Sequence, residues 1–181
     1  MRSFDGLISD HLAMPRTQRR SRLGFTLLEL LISVAIIAIV STLAVVALIG
    51  VVRNSRDAKR KHDLAQMGRF LFSAECYLPD AGAGDYDVTE VAAELRTKYP
   101  QYAAALASLP RDPKTGTVAA SNYRYEVTAN GHCVMYANLE NAREEVTLPS
   151  ISDPTPNAGI GVLQAVAAGP NGTPFYHQIS K

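Results

Sequence analysis

One stretch decides most of what this chain can become. From Phe25 to Val52 the residues are almost wholly Leu, Ile, Val and Ala, interrupted beyond the first turn only by the polar Glu29, Ser33, Ser41 and Thr42. As a helix rising about 1.5 Å per residue, this run reaches about 42 Å and exceeds a hydrocarbon core of about 30 Å. A secretory signal peptide has an apolar region of about 7–15 residues with a small-x-small cutting site behind it, so the longer run reads as a retained membrane helix. A carboxylate inside such a run costs several kcal/mol unless it meets a partner. Glu29 is therefore out of place in a plain anchor.

The rest of the chain is modest. With the N-terminal segment and the apolar run subtracted from 181 residues, roughly 130 remain, enough for one small domain. A net charge of +1 gives no general attraction to nucleic acid, yet the charge is unevenly placed. Arg2, Arg16, Arg19, Arg20 and Arg22 precede the apolar run, and Arg53, Arg56, Lys59, Arg60 and Lys61 follow it. The two sets are equal in number, so the positive-inside rule leaves the orientation open. The second set, within the polar segment 53–63, reads as a solvated face beside the membrane, able to meet anionic lipid, a neighbour's acids or DNA. Without interleaved aromatic residues it lacks the platforms that stack single-stranded bases.

At the mouth of the apolar run stands Gly24-Phe25-Thr26-Leu27-Leu28-Glu29-Leu30, behind a basic collar of Arg19, Arg20 and Arg22. Gly24, lacking a side chain, offers a protease open backbone. This segment resembles the processing site of the type IV pilin family, which includes pilins and the pseudopilins of type II secretion and of competence. The resemblance implies cleavage after Gly24 by prepilin peptidase on the cytoplasmic side, with Phe25 as the new N-terminus and the site of N-methylation. It implies a single-pass protein in the cytoplasmic membrane, N-terminus inside, that joins copies of itself and related pilins through an assembly platform. The resulting filament is extracellular or periplasmic, and DNA becomes a partner only if it serves competence. In that setting Glu29 of one subunit neutralises the Phe25 amine of the next, where isolated charges are costly. Two departures are a long leader, shortened to Met14–Gly24 by a start at Met14, and the lack of a proline within the helix.

The implied fold is α+β, a long N-terminal helix packed on a small antiparallel sheet. Residues 1–24 form the leader and 25–52 the membrane and assembly helix, in which Ser33, Ala35, Ala38, Ser41, Ala44 and Ala47 permit close helix approach. No proline intervenes before Pro79, and Leu64, Met67, Leu71, Ala74 and Leu78 recur at helical spacing, so 53–78 is expected to continue the helix onto the head. The whole would reach roughly 80 Å.

In the head, 79–148, Asp80–Asp87 has loop composition, and Asp87 with Glu90 opens a helix over Val88–Tyr99. Gln101–Leu109 adds a helical turn or two before Pro110, and Arg111–Gly116 is a turn. Tyr123, Tyr125 and Val127 alternate with polar residues, and His132–Leu139 follows Asn130-Gly131, which reads as a hairpin lying on the helix stripe. Glu144–Leu148 is expected as a third strand. Segment 149–181 has no assignable role, with Gly159–Lys181 expected to be flexible or an edge.

Cys76 and Cys133 fall on the side that the resemblance makes oxidising, and a disulfide is the expected state, two buried thiols the alternative. Asp80, Asp85, Asp87 and Glu90 are weak calcium candidates in a spacing that matches no EF-hand loop, against the plainer reading of a solvated, helix-capping loop. The four histidines form no metal-ligand pair, and no nucleophile–base grouping, carboxylate pair or phosphate loop stands out, so neither an enzyme nor a cofactor is expected. The expected function is a structural subunit of a type IV pilus (fimbrium) or pseudopilus. The alternative is a monomeric membrane-anchored extracytoplasmic binding domain.

Overall fold

The structure, a computed structural model, describes residues 24–72 and 75–181, so the basic leader and Ala74 of the expected stripe lie outside the described residues, as do the side chains of Val46 and Ala47. Two compact units divide between Thr42 and Leu43. Helix α1 (Leu27–Leu71) contributes to both.

In the first unit Thr26 caps α1. Its hydroxyl accepts the Glu29 N–H at 3.2 Å and its carbonyl accepts the Leu30 N–H at 3.1 Å, satisfying donors that a helix start leaves bare.

The second unit is α+β. Behind α1 come β1 (Gly84–Asp87), α2 (Val88–Lys98), a 3-10 turn (Pro100–Tyr102), α3 (Ala103–Leu106), β2 (Arg124–Val127), β3 (Cys133–Asn138), β4 (Gly161–Gln164) and β5 (Phe175–Ser180). The strands form one antiparallel sheet in the order β1-β2-β3-β5-β4. The expected hairpin turns at Asn130-Gly131, where Gly131 takes φ 77°, and pairs Tyr125 with Met135. One face of the sheet presents Tyr125, Val127, Cys133, Met135, Ala137 and Ile179 to Leu64, Met67 and Leu71 of α1, with α2 closing the same core through Val88, Val91 and Leu95. Burying each of the larger apolar side chains contributes about 1.5–3 kcal/mol. Helix and sheet approach closely at Gly68, where an added methyl would overlap Ile179 Cδ1.

Four expectations are corrected. Helix α1 stops at Leu71 rather than near Leu78: the Tyr77 N–H donates to the Leu71 carbonyl, and Cys76 is bonded to Cys133 of β3. Asp80–Asp87 is not all loop, because Gly84–Asp87 pairs with β2 as an edge strand whose Asp85 is held by Arg124 across the ladder. Glu144–Leu148 is not a strand, although the Thr147 and Leu148 N–H groups both donate to the Val162 carbonyl. Gly159–Lys181 supplies the edge strand β4, but β5 lies inside the sheet, its outward Gln178 fully buried under the loop at Thr155 and Gly159.

Candidate functional site

Gly24 and Phe25 precede α1 in non-helical backbone, with no atom of the described residues close enough to touch a Cβ built on Gly24 and with Phe25 81% exposed. One turn on, Glu29 is exposed, at the third position of the helix, where its charge opposes the positive end of the helix dipole. Thr26-x-x-Glu29 has the spacing of a capping box. The sequence carried that signal, and it gives Glu29 a local role beside the proposed one: Thr26 binds its N–H while its carboxylate projects.

Helix α1 is the described helix long and apolar enough to cross a membrane. Described side chains from Phe25 to Val52 are all exposed, including Leu31, Ile37, Leu43 and Ile49, so this run has no apolar partner among the described residues. An apolar surface of that extent in a single subunit requires lipid or other protein to cover it.

The segment expected to be solvated instead fastens α1 to the head. Arg60 is 0% exposed. Its Nε and Nη2 donate to Asp112 at 2.7 and 2.9 Å, Nη1 donates to Asp57 at 2.6 Å, and Nη2 also reaches Glu140 at 2.8 Å. Arg56 binds both oxygens of Glu140 at 2.7 and 2.6 Å, and Lys114 stands 3.6 Å from the same carboxylate. Cations and acids thus balance. Backbone donors complete the carboxylates: the Glu140 and Asn141 N–H groups donate to Asp57, and those of Lys114 and Thr115 to Asp112. Burial works to neutralise these groups, but the hydrogen bonds win, holding Arg60 above the usual guanidinium range and Asp112 and Glu140 below the usual carboxylate range. Lys59 pairs with Asp63 and Lys61 with Glu144, so of the five cations behind the apolar run only Arg53 makes no ion pair among the described residues.

Among the calcium candidates, Asp87 caps α2: one oxygen accepts from the Thr89 and Ser121 N–H groups at 2.8 and 3.0 Å, the other from Asn122 at 3.0 Å. Asp85 binds Arg124 and Tyr136, Asp80 binds Lys98, and Glu90 stays exposed in the first turn of α2. The four carboxylates are not gathered, and no cluster of three metal-ligating side chains occurs among the described residues. Cys76 and Cys133 are joined as a disulfide across 57 positions of sequence.

A long N-terminal helix on a small antiparallel sheet, with its first half bare and apolar, defines an α+β protein consistent with the pilin fold. Residues 19–45 match the prokaryotic N-terminal methylation motif, so the chain carries the type IV prepilin-like signal. No curated protein matches the chain. No solved structure matches it either. The signal is one that type IV pilin-like proteins processed by prepilin peptidase carry, a generally non-enzymatic, structural kind, and α1 is long and apolar enough to serve as a membrane anchor.

Proposed function

We propose that this chain is a structural subunit of a type IV pilus or pseudopilus, cut between Gly24 and Phe25, methylated on Phe25 and assembled through α1. The observation that carries the reading is the combination in one helix of an open Gly24–Phe25 junction, an exposed acid at Glu29 and an apolar surface uncovered up to Val52. Each half of that combination answers the other. The apolar run keeps the subunit in the membrane until release, and then becomes the packed centre of a helix bundle in which neighbours replace lipid. Within that bundle the Phe25 amine of one subunit pairs with Glu29 of the next, so the charges neutralise one another and fix the axial register. Amine and acid are four residues apart, about 6 Å of rise once the helix extends to Phe25 in the bundle. The ion cluster around Arg60 and the disulfide keep the head on α1 while the helix is drawn from the bilayer.

Replacing Glu29 by Ala in the full-length protein tests this. Under the proposal, membrane insertion persists while filaments fall at least tenfold. A monomeric membrane-tethered binding domain would be indifferent to the change, and normal fibres in the variant would rule the pairing out.

A further inference from the structure

The face of α1 that carries the head also carries an apolar groove directly before it. Val45, Leu48, Ile49, Val52 and Arg56 line an open groove of about 340 Å³, and the steps of three and four residues that join them run on from Arg56 to Arg60. Arg56 and Arg60 are the residues that bind Glu140 and Asp112, so the head stands over this stripe, and stripe and head form a corner within one compact unit. The apolar walls of the groove, Val45, Leu48, Ile49 and Val52, are all exposed.

Cations close the head end of the groove. Arg53 lies on the same face, one turn beyond Ile49, and makes no hydrogen bond or ion pair among the described residues. Arg56 spends Nε and Nη2 on Glu140, which leaves Nη1 without a partner among the described residues, and its side chain is 32% exposed. Lys114 Nζ stands 3.6 Å from the Glu140 oxygen that Arg56 Nη2 binds at 2.6 Å, so two cations flank one oxygen, and the Lys114 side chain is 44% exposed. Asp57, Asp112 and Glu140 offset Arg56, Arg60 and Lys114, and Arg53 is the surplus. Depth matches charge. Arg53 is the first charged residue of α1 after Glu29 and marks where the helix leaves hydrocarbon. Arg56 follows about 6 Å beyond Val52, within a headgroup layer about 5–8 Å deep. Guanidinium forks suit phosphate oxygens, and basic pockets beside membrane helices hold acidic lipid headgroups.

We infer that this corner holds one anionic phospholipid, its acyl chain along Val45, Leu48, Ile49 and Val52 and its phosphate among Arg53, Arg56 and Lys114. The apolar stripe and the cations call for the two ends of the same molecule, which neither a soluble anion nor a zwitterionic lipid satisfies as well. The inference rests on the membrane anchoring in the reading above and concerns the subunit stored in the bilayer, before neighbouring helices cover the stripe.

Native mass spectrometry of the full-length protein tests it, after release in a nonionic detergent from vesicles of equal parts phosphatidylglycerol and phosphatidylcholine with matched chains. Monomers should retain one phosphatidylglycerol, favoured about fivefold over phosphatidylcholine. Lys114→Gln with Arg53→Gln should bring that ratio close to one, and Arg53→Gln alone, at a side chain with no bond to lose, should lower it without moving the denaturation midpoint. Arg69→Gln removes the same charge about 20 Å further along α1 and should leave the ratio unchanged. Equal retention of the two lipids by the wild type, a ratio kept in the Arg53 and Lys114 variants, or an equal fall with Arg69→Gln overturns the site while leaving the anchor intact. Displacement of the lipid by millimolar inorganic phosphate makes the corner a plain anion site, and lipid-free dimers give the stripe to a second copy; either overturns the lipid. Protein that enters vesicles of neither lipid overturns the membrane anchoring as well.

Discussion

Arg60 and Asp112, 52 residues apart in sequence, meet in a two-pronged ion pair, Nε and Nη2 donating to Oδ2 and Oδ1 at 2.7 and 2.9 Å with neither side chain open to solvent. The same guanidinium reaches Asp57 and Glu140, so one residue of α1 ties the helix to two separate loops of the head. Replacing Arg60 by Met leaves three carboxylates together without their central counter-charge. Unfolding of the detergent-solubilised protein should show a loss of about 3–5 kcal/mol. Arg60→Lys should also destabilise, because an ammonium cannot supply the planar fork that binds Asp112 through two nitrogens. A wild-type denaturation midpoint in either variant would mean that the cluster is not an anchor.

Acid should loosen the head in two stages. His177 on β5 is pushed down to about 4, chiefly by burial and then by the nearby Lys61 ammonium. Its folded value lies below the unfolded one of about 6.5, so the unfolded chain binds the proton first and stability falls as pH drops from about 6.5 toward 4. Asp87, Asp112 and Glu140 are held below the usual carboxylate range. Their contribution is complete above about pH 4 and is lost as pH falls further. A series of melts from pH 8 to pH 3 should show both stages, and His177→Asn should flatten only the upper one.

The Cys76–Cys133 bridge ties the chain leaving α1 to the middle of the sheet. On the chain-entropy model, closing a loop of this size is worth about 4 kcal/mol. Cys76→Ser with Cys133→Ser should lower the unfolding free energy by a comparable amount, and growth of the native protein under reducing conditions should give the same loss.

Gly68 has a packing reason that substitution can expose. Gly68→Ala places a methyl onto Ile179 Cδ1 and should destabilise the head by about 1–3 kcal/mol. Ile179→Val removes that carbon and should recover much of the loss in the double variant. Additive effects of the two changes would place the strain elsewhere.

Periodicity and turn chemistry made much of the fold readable. Leu64, Met67 and Leu71 formed the expected stripe, Tyr123, Tyr125 and Val127 alternated as a half-buried strand does, and Asn130-Gly131 marked the hairpin. These are local signals. The elements misread were those fixed by distant partners: Gly84–Asp87 is a strand because β2 lies beside it, despite a glycine and two aspartates that disfavour one. Likewise β5 is interior because β3 and β4 flank it. The anchoring cluster was invisible for the same reason. Arg60 stands among charged neighbours in sequence, and only the fold brings Asp112 and Glu140 to it. At the N-terminus the processing motif is legible as a contiguous string, and the Thr26 cap on the Glu29 N–H follows the Thr26-x-x-Glu29 spacing.

The most direct measurement is intact and N-terminal peptide mass spectrometry of the protein isolated from its native membrane. The account predicts a chain beginning at Phe25, heavier by one methyl group at its amine, and an uncut chain when Gly24 is replaced by a bulky residue. A native polypeptide that keeps residues N-terminal to Phe25 would contradict the processing on which assembly through α1 depends.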